Sequence, residues 1–174
     1  MIPQHSQKSN LWYTPETVLN AAREVLGYIE LDPASDAHGN ERVQAERFLT
    51  EADDGLTAPW GTPRSVFLNP PGGKVGNRSR AELFWLRLMN ERANIGHAIF
   101  LAFSLEQLQT TQKPGQLSLM HFPVCIPSKR LRFHYRNHDK VSPTHANCVT
   151  YVPGKIDLTS TFLSVFSTIG MCKE

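Results

Sequence analysis

Ser65-Val66-Phe67-Leu68-Asn69-Pro70-Pro71-Gly72-Gly73 is the stretch on which the reading of this chain turns. Four residues of strand character run into a loop stiffened by two prolines and followed by two glycines. A loop in that position sits at a strand's carboxyl end, which is where open α/β sheets bind ligands. Because proline fixes φ, the Asn69 side-chain oxygen and the Pro70 carbonyl would stand there as two preset hydrogen-bond acceptors. Taken alone, Asn-Pro-Pro-Gly-Gly is equally a simple turn. The surrounding sequence has to decide between the two.

Upstream, Thr14-Pro15 predicts a helix start. Thr14 would be the cap and Pro15 the first helical residue, where a missing N–H costs nothing. Val18, Leu19, Ala22, Val25 and Leu26 follow at helical spacing and Gly27 ends the run. Tyr28 to Leu31 reads as a short strand stopped at Asp32-Pro33. Asn40 to Phe48 reads as a charged surface helix and Glu51 to Trp60 as loop. Downstream, Ser79 with Glu82 is a capping-box pattern opening a helix to about Asn94, with Leu83, Trp85 and Leu86 among its apolar residues. Ala98 to Phe103 is a continuous apolar run, as in a strand buried on both faces, and Ser104 with Gln107 opens the next helix. Beyond Pro114-Gly115, the segments Leu117 to Ile126, Leu131 to Tyr135, Ala146 to Val152 and Phe162 to Phe166 read as strands. Alternating strand and helix followed by a strand-rich end predicts one α/β domain whose mostly parallel sheet finishes in antiparallel strands.

The remaining bounds are broad. The chain has 174 residues, 40% of them hydrophobic, enough for one domain with its own core. No stretch approaches the ~20 apolar residues needed to cross a bilayer. Residues 1–11 are polar, lack the apolar centre of a signal peptide and read as a flexible arm ahead of a domain over 12–174, so a cytoplasmic protein is expected. Cys125, Cys148 and Cys172 have no short pair spacing, and read as small buried hydrophobes in strands rather than as a disulfide framework or zinc site. The net charge of +2 says little about partners, but Lys129 to Lys140 holds five basic residues against one acid.

Four motifs stand in order: Trp12-Tyr13-Thr14-Pro15, Leu31-Asp32-Pro33-Ala34-Ser35, Asp53-Asp54-Gly55-Leu56 ahead of Trp60, and Phe67-Leu68-Asn69-Pro70-Pro71. Together they resemble the phage-type DNA N6-adenine methyltransferase (Dam) family over about residues 12 to 105, with a weaker Arg-x-x-Phe-like extension at Arg130 to Phe133. The resemblance implies a single-domain Rossmann-like methyltransferase fold with S-adenosylmethionine as cofactor and DNA as partner, in a bacterial or phage-infected host cell. It places Thr14 and Pro15 at the methionine end of the cofactor, Asp32, Ala34 and Ser35 in the turn beneath it, and Asp53 or Asp54 near its adenine. Asn69, Pro70 and Pro71 would hold the target amine. Each assignment has a plain counterpart: Thr14 as a cap, Asp32 as a turn former, Asp53 and Asp54 as a solvated pair.

An exocyclic amine is a poor nucleophile because its lone pair is delocalised into the ring. Two acceptors aimed at its hydrogens favour a pyramidal nitrogen and localise that pair, and a dry pocket favours loss of the sulfonium charge. Three departures from the family pattern shape the expectations. Gly72 and Gly73 stand where an aromatic usually follows the prolines to stack on the base, which leaves Trp12 and Tyr13 as candidates for that task. The turn after Asp32 is Ala-Ser rather than glycine-rich. Only residues 33 to 68 separate the strand-end acid from the loop, so one of two βα units should be shortened.

Arg130, Arg132, His134 and Arg136 alternate with Leu131, Phe133 and Tyr135, giving one basic and one apolar strand face. The basic face reads as a phosphate-contacting strip or as a solvated surface. Lys74, Arg78 and Arg80 follow the loop where a DNA strand would pass. His134 and His138, taken as one strand, lie ~13 Å apart at ~3.3 Å per residue, too far for one ion, so no metal is expected. Gly73-Lys74-Val75 lacks the pattern of a phosphate loop. The leading expectation is methylation of adenine N6 in a flipped-out base. Its rivals are cytosine N4, RNA or a protein amide as target, and an inactive nucleic-acid-binding module. Oligomeric state is not legible.

Overall fold

The computed structural model describes residues 12–135, 138–141 and 145–174. The arm expected over residues 1–11 and the Arg136 assigned to phosphate contact lie outside them. Helix α1 (Glu16–Leu26) forms where its apolar spacing predicts, with six of its residues buried. Its cap is a correction: Pro15 is the N-cap residue, its carbonyl accepting from the Val18 and Leu19 amides at 3.0 and 3.2 Å, and Thr14 makes no cap bond. After β1 (Leu31–Asp32), α2 (Ala37–Val43) begins earlier than expected because Asp36 caps it through the Gly39 amide. It ends at Gln44, in a left-handed conformation (φ 57°), where the Asn40 amide group both donates to and accepts from the Ala45 backbone. The rest of the expected Asn40–Phe48 helix is a turn and strand β2 (Arg47–Phe48).

Strand β3 (Ser65–Leu68) leads into the Asn-Pro-Pro loop and a small exposed hairpin, β4 (Lys74–Val75) and β5 (Arg78–Ser79). Ser79 caps α3 (Arg80–Glu91) by accepting from the Glu82 amide at 3.1 Å. Strand β6 (His97–Ala102) is buried throughout and is followed by the single turn of α4 (Glu106–Thr110). The strand expected over Leu117 to Ile126 is a 3-10 turn at Leu119–His121 and then β7 (Val124–Pro127). Strands β8 (Phe133–Tyr135) and β9 (His138–Val141) pair as a hairpin, so His134 and His138 stand on facing strands rather than on one. The single-strand spacing used to separate them therefore does not apply. Among the described residues no group of three His, Cys, Asp or Glu could hold a metal ion. After β10 (Cys148–Pro153), the expected strand Phe162 to Phe166 is instead part of α5 (Thr159–Phe166), and β11 (Gly170–Lys173) follows. Phe162 and Phe166 lie one helical turn apart, both buried and stacked at 4.6 Å, which a strand would not allow.

The seven-stranded sheet runs β11-β7-β10-β6-β3-β1-β2. The four strands from β6 to β2 are mutually parallel, while β10 is antiparallel to both β6 and β7, and β11 is antiparallel to β7. Alternate residues of the central strands feed two cores. Phe67, Ile99 and Leu101 pack with α1 and α5, whereas Val66, Leu68, Ala98, Phe100 and Ala102 pack with Trp85 and Leu88 of α3. Fully burying each such large side chain contributes roughly 1.5–3 kcal/mol. No helix among the described residues is long and apolar enough to cross a membrane.

From β1 the chain moves outward to β2, then returns to the other side of β1 as β3. The crevice outside the carboxyl ends of β1 and β3 is thus the switch point of the sheet. The return from β2 to β3 contains no helix, which is the shortened unit that the spacing requires. Its loop is held against the β1 turn: the Trp60 indole N–H donates to the Gly55 carbonyl at 2.8 Å, and a Cβ on Gly55 would lie 1.8 Å from the Pro33 carbonyl oxygen. Gly55→Ala must therefore displace backbone. It is expected to cost about 1–3 kcal/mol, read as a fall in Tm of roughly 2–4 °C per kcal/mol in thermal unfolding.

Candidate active site

Strand β1 ends at Asp32 and β3 ends one residue before Asn69. Their parallel pairing at Leu31 and Val66 sets these two side chains at one end of the sheet. Helix α1 runs back along the sheet, so the Trp12–Thr14 segment before it returns to the same end. Tyr13 fixes it there by exchanging two backbone hydrogen bonds with His134, each 2.9 Å. A cleft of about 410 Å³, open to solvent, is the result, and Trp12, Tyr13, Thr14, Asp32, Asn69 and Pro70 are among its lining residues.

Most of the residues assigned from sequence meet here. Asn69, Pro70 and Pro71 line it together with Thr14, Asp32, Ala34 and Ser35. Asp36, Gly39, Val43 and Phe67 also line the cleft and were missed. The signal for Asp36 and Gly39 was Asp36 as a helix cap, concealed by starting α2 at Asn40. Phe67 was readable as the residue two before Asn69, hence on the same strand face.

Asp32 is 3% exposed. Burial pushes its carboxyl up to about 7; the Ala34 amide at 3.0 Å and the Ser35 hydroxyl oppose that, and the Asp36 charge adds to it. Among the described residues, none of the groups acting on it is a cation. Asn69 is half-buried, and its side-chain nitrogen donates to the Trp12 carbonyl at 2.8 Å and to the Thr14 hydroxyl at 3.1 Å. Among the described residues its side-chain oxygen accepts no hydrogen bond.

Other assigned residues stand elsewhere. Pro15 caps α1 and is not among the lining residues of the cleft. Asp53 and Asp54 are exposed and outside it. Asp53 accepts from the Thr50 amide and hydroxyl at 2.8 and 2.7 Å, which holds its carboxyl below the usual range, and Asp54 accepts from the Leu56 amide and the Thr57 hydroxyl. They shape the loop that carries Gly55. Of the two rings considered for base stacking, Tyr13 is committed elsewhere: it is buried, donates its hydroxyl to Asp36 at 3.0 Å and meets the His38 ring edge-on at 5.0 Å. Trp12 is half-buried, lines the cleft and packs 6.1 Å from Phe103.

Lys74 and Arg78 are exposed on the hairpin next to the Asn-Pro-Pro loop, with Arg78 3.8 Å from Glu82 and half in solvent. Arg130 and Arg132 are exposed, while Leu131 between them and Phe133 after them are buried, so the alternation read from sequence is seen over residues 130–133. The Tyr13–His134 bridge ties that strand directly to the segment lining the cleft.

Comparisons with known proteins bear on the fold and the family. The family profile for DNA N-6-adenine-methyltransferase (Dam) matches residues 3–111. No curated protein matches the sequence. A solved structure from Listeria monocytogenes, provisionally described as a class I S-adenosylmethionine-dependent methyltransferase, shares the fold with a TM-score of 0.51 at 13% identity, covering 89% of this chain. The chain spans 64% of that structure's length. On the match over residues 3–111, more than half of its length, the chain belongs to the DNA N-6-adenine-methyltransferase (Dam) family.

Proposed function

We propose that this chain methylates the exocyclic N6 amine of adenine in DNA with S-adenosylmethionine, in the cytoplasm of a bacterial or phage-infected cell, with residues 12–174 as the methyltransferase domain. The observation that carries the reading is Asn69 in the cleft lining at the carboxyl end of β3, its amide nitrogen bound to protein at 2.8 and 3.1 Å and its oxygen accepting no hydrogen bond among the described residues. That oxygen and the Pro70 carbonyl are the two acceptors for the target N–H groups. They hold the amine in place and favour the pyramidal nitrogen that exposes its lone pair. The extra proton of the methylated amine passes to solvent, so no strong base is required.

The cleft suits the cofactor by its charge. A buried carboxyl without a cationic neighbour is costly, and a positively charged ligand removes that cost. Asp32 would hold the cationic part of the cofactor, with Ala34, Ser35 and Thr14 around it. When bound, S-adenosylmethionine supplies an electrophilic methyl group on a sulfonium. Trp12 is the ring we assign to stacking on the target base in place of the missing aromatic after Pro71. Arg130 and Arg132, with Lys74 and Arg78, would contact phosphates on either side of the opening.

Three outcomes test this. Duplex DNA treated with the protein should yield N6-methyl-2′-deoxyadenosine by nucleoside mass spectrometry, and Asn69→Ala should lower the rate by at least about 100-fold, comparable to losing an oxyanion-type contact. N4-methyl-2′-deoxycytidine instead would reassign the target, and an active Asn69→Ala would remove the mechanism. The second outcome follows from Asp32. A carboxyl raised from 3.8 to about 7 favours the folded state when protonated, so the free protein should lose stability as pH rises from about 4 to about 7, and Asp32→Asn should flatten that slope in thermal unfolding. Cofactor binding has the opposite sign, since it favours the carboxylate: affinity in calorimetry should rise from pH 6 to pH 8 in the wild type and not in Asp32→Asn. Third, each phosphate contact contributes about 0.9 to the slope of log K against log salt, so Arg130→Gln/Arg132→Gln should lower the DNA-binding slope by about 1.8.

A further inference from the structure

Both hydrogens of the Asn69 amide group are used. The Trp12 carbonyl can only accept, so the Asn69 atom 2.8 Å from it is nitrogen, and this contact fixes which way the amide faces. The second hydrogen goes to the Thr14 hydroxyl at 3.1 Å. Thr14 is 3% exposed and Trp12–Thr14 is itself held by the Tyr13–His134 bridge, so the two acceptors are fixed in place. We propose that Thr14 is a positioning residue, which with the Trp12 carbonyl clamps the Asn69 amide so that its oxygen faces the reacting amine, and that this clamp restricts position 69 to Asn and excludes Asp. The proposal rests on the methyl-transfer reading above.

The exclusion follows from the acceptor set. An aspartate at 69 would bring a second carboxylate oxygen against the Trp12 carbonyl, acceptor against acceptor. The Thr14 hydroxyl has one proton and could satisfy only one such oxygen. Protonation of the carboxyl would restore a donor, at the cost of raising its pKa. Asn and Asp both offer an oxygen to an amine, so the chemistry at the cleft side alone would not choose between them; the choice is made on the protein side.

Thr14→Val keeps the shape and removes the acceptor, whereas Thr14→Ser keeps it. With duplex DNA and S-adenosylmethionine, Thr14→Val is expected to lower kcat by about tenfold, the loss of one oriented hydrogen bond. KM for DNA should stay within about twofold, and Thr14→Ser should restore kcat. Asn69→Asp should be at least as impaired as Thr14→Val at pH 7.5. The readout independent of turnover is the Asn69 side-chain NH₂ pair in the ¹H–¹⁵N spectrum, identified by its loss in Asn69→Ala. It should move upfield in Thr14→Val and stay near its wild-type position in Thr14→Ser. An NH₂ pair that does not move in Thr14→Val, an unchanged kcat in that variant, or an Asn69→Asp enzyme within threefold of wild type would each overturn the clamp. Failure of the wild type to methylate any base, with the NH₂ pair behaving as described, would instead overturn the assigned reaction and leave the clamp standing.

Discussion

The site depends on one carboxamide being bound from behind. A side-chain amide has two donors and one principal acceptor, and in solution either end can face a ligand. Here the donors of Asn69 are taken by Trp12 and Thr14, residues from the segment before the first helix. A loop at the end of β3 is thereby coupled to the start of α1, and through Tyr13 to β8. Remove that backing and the same loop is a proline turn with an asparagine on it, which is the alternative reading of the sequence.

The cleft lining also includes a buried acid. Asp32 is buried at the end of β1 with an amide and a hydroxyl as donors and a second carboxylate, Asp36, nearby. Asp36 is itself occupied, capping α2 and accepting from Tyr13. One acid is committed to architecture, and the other has no cation acting on it among the described residues. Asp53 and Asp54 show how different the same residue type is in the open: bonded to neighbouring turn groups, they set the course of a loop.

What was legible in the sequence follows a physical line. Strand β3, strand β6 and the Ser79 cap were readable because each is decided by residues next to one another: a short apolar run, a long one, a hydroxyl three residues before an amide. The motif order located the cleft for the same reason, since strand ends are local features. Thr14 was misread because its true partner, Asn69, is distant, and nothing nearby distinguishes a capping hydroxyl from an accepting one. Phe162 to Phe166 was misread because a short apolar run fits both periods until its neighbours are known; stacking of Phe162 on Phe166 beneath α1 decides it. Tyr13 looked available for stacking on a base because its burial against α2 is likewise a tertiary fact.

The Tyr13–His134 bridge also has a consequence for how the molecule comes apart. It is a single bridge of two backbone hydrogen bonds joining parts of the chain far apart in sequence, whereas β6 and β10 are joined along six residue pairs in the middle of the sheet. Proteins open locally in units of unequal free energy, and the least supported contacts open first. Release of the bridge would separate the Trp12–Thr14 segment from β8 and loosen the backing of Asn69. Opening at this edge would reach the site before it reached the centre of the sheet.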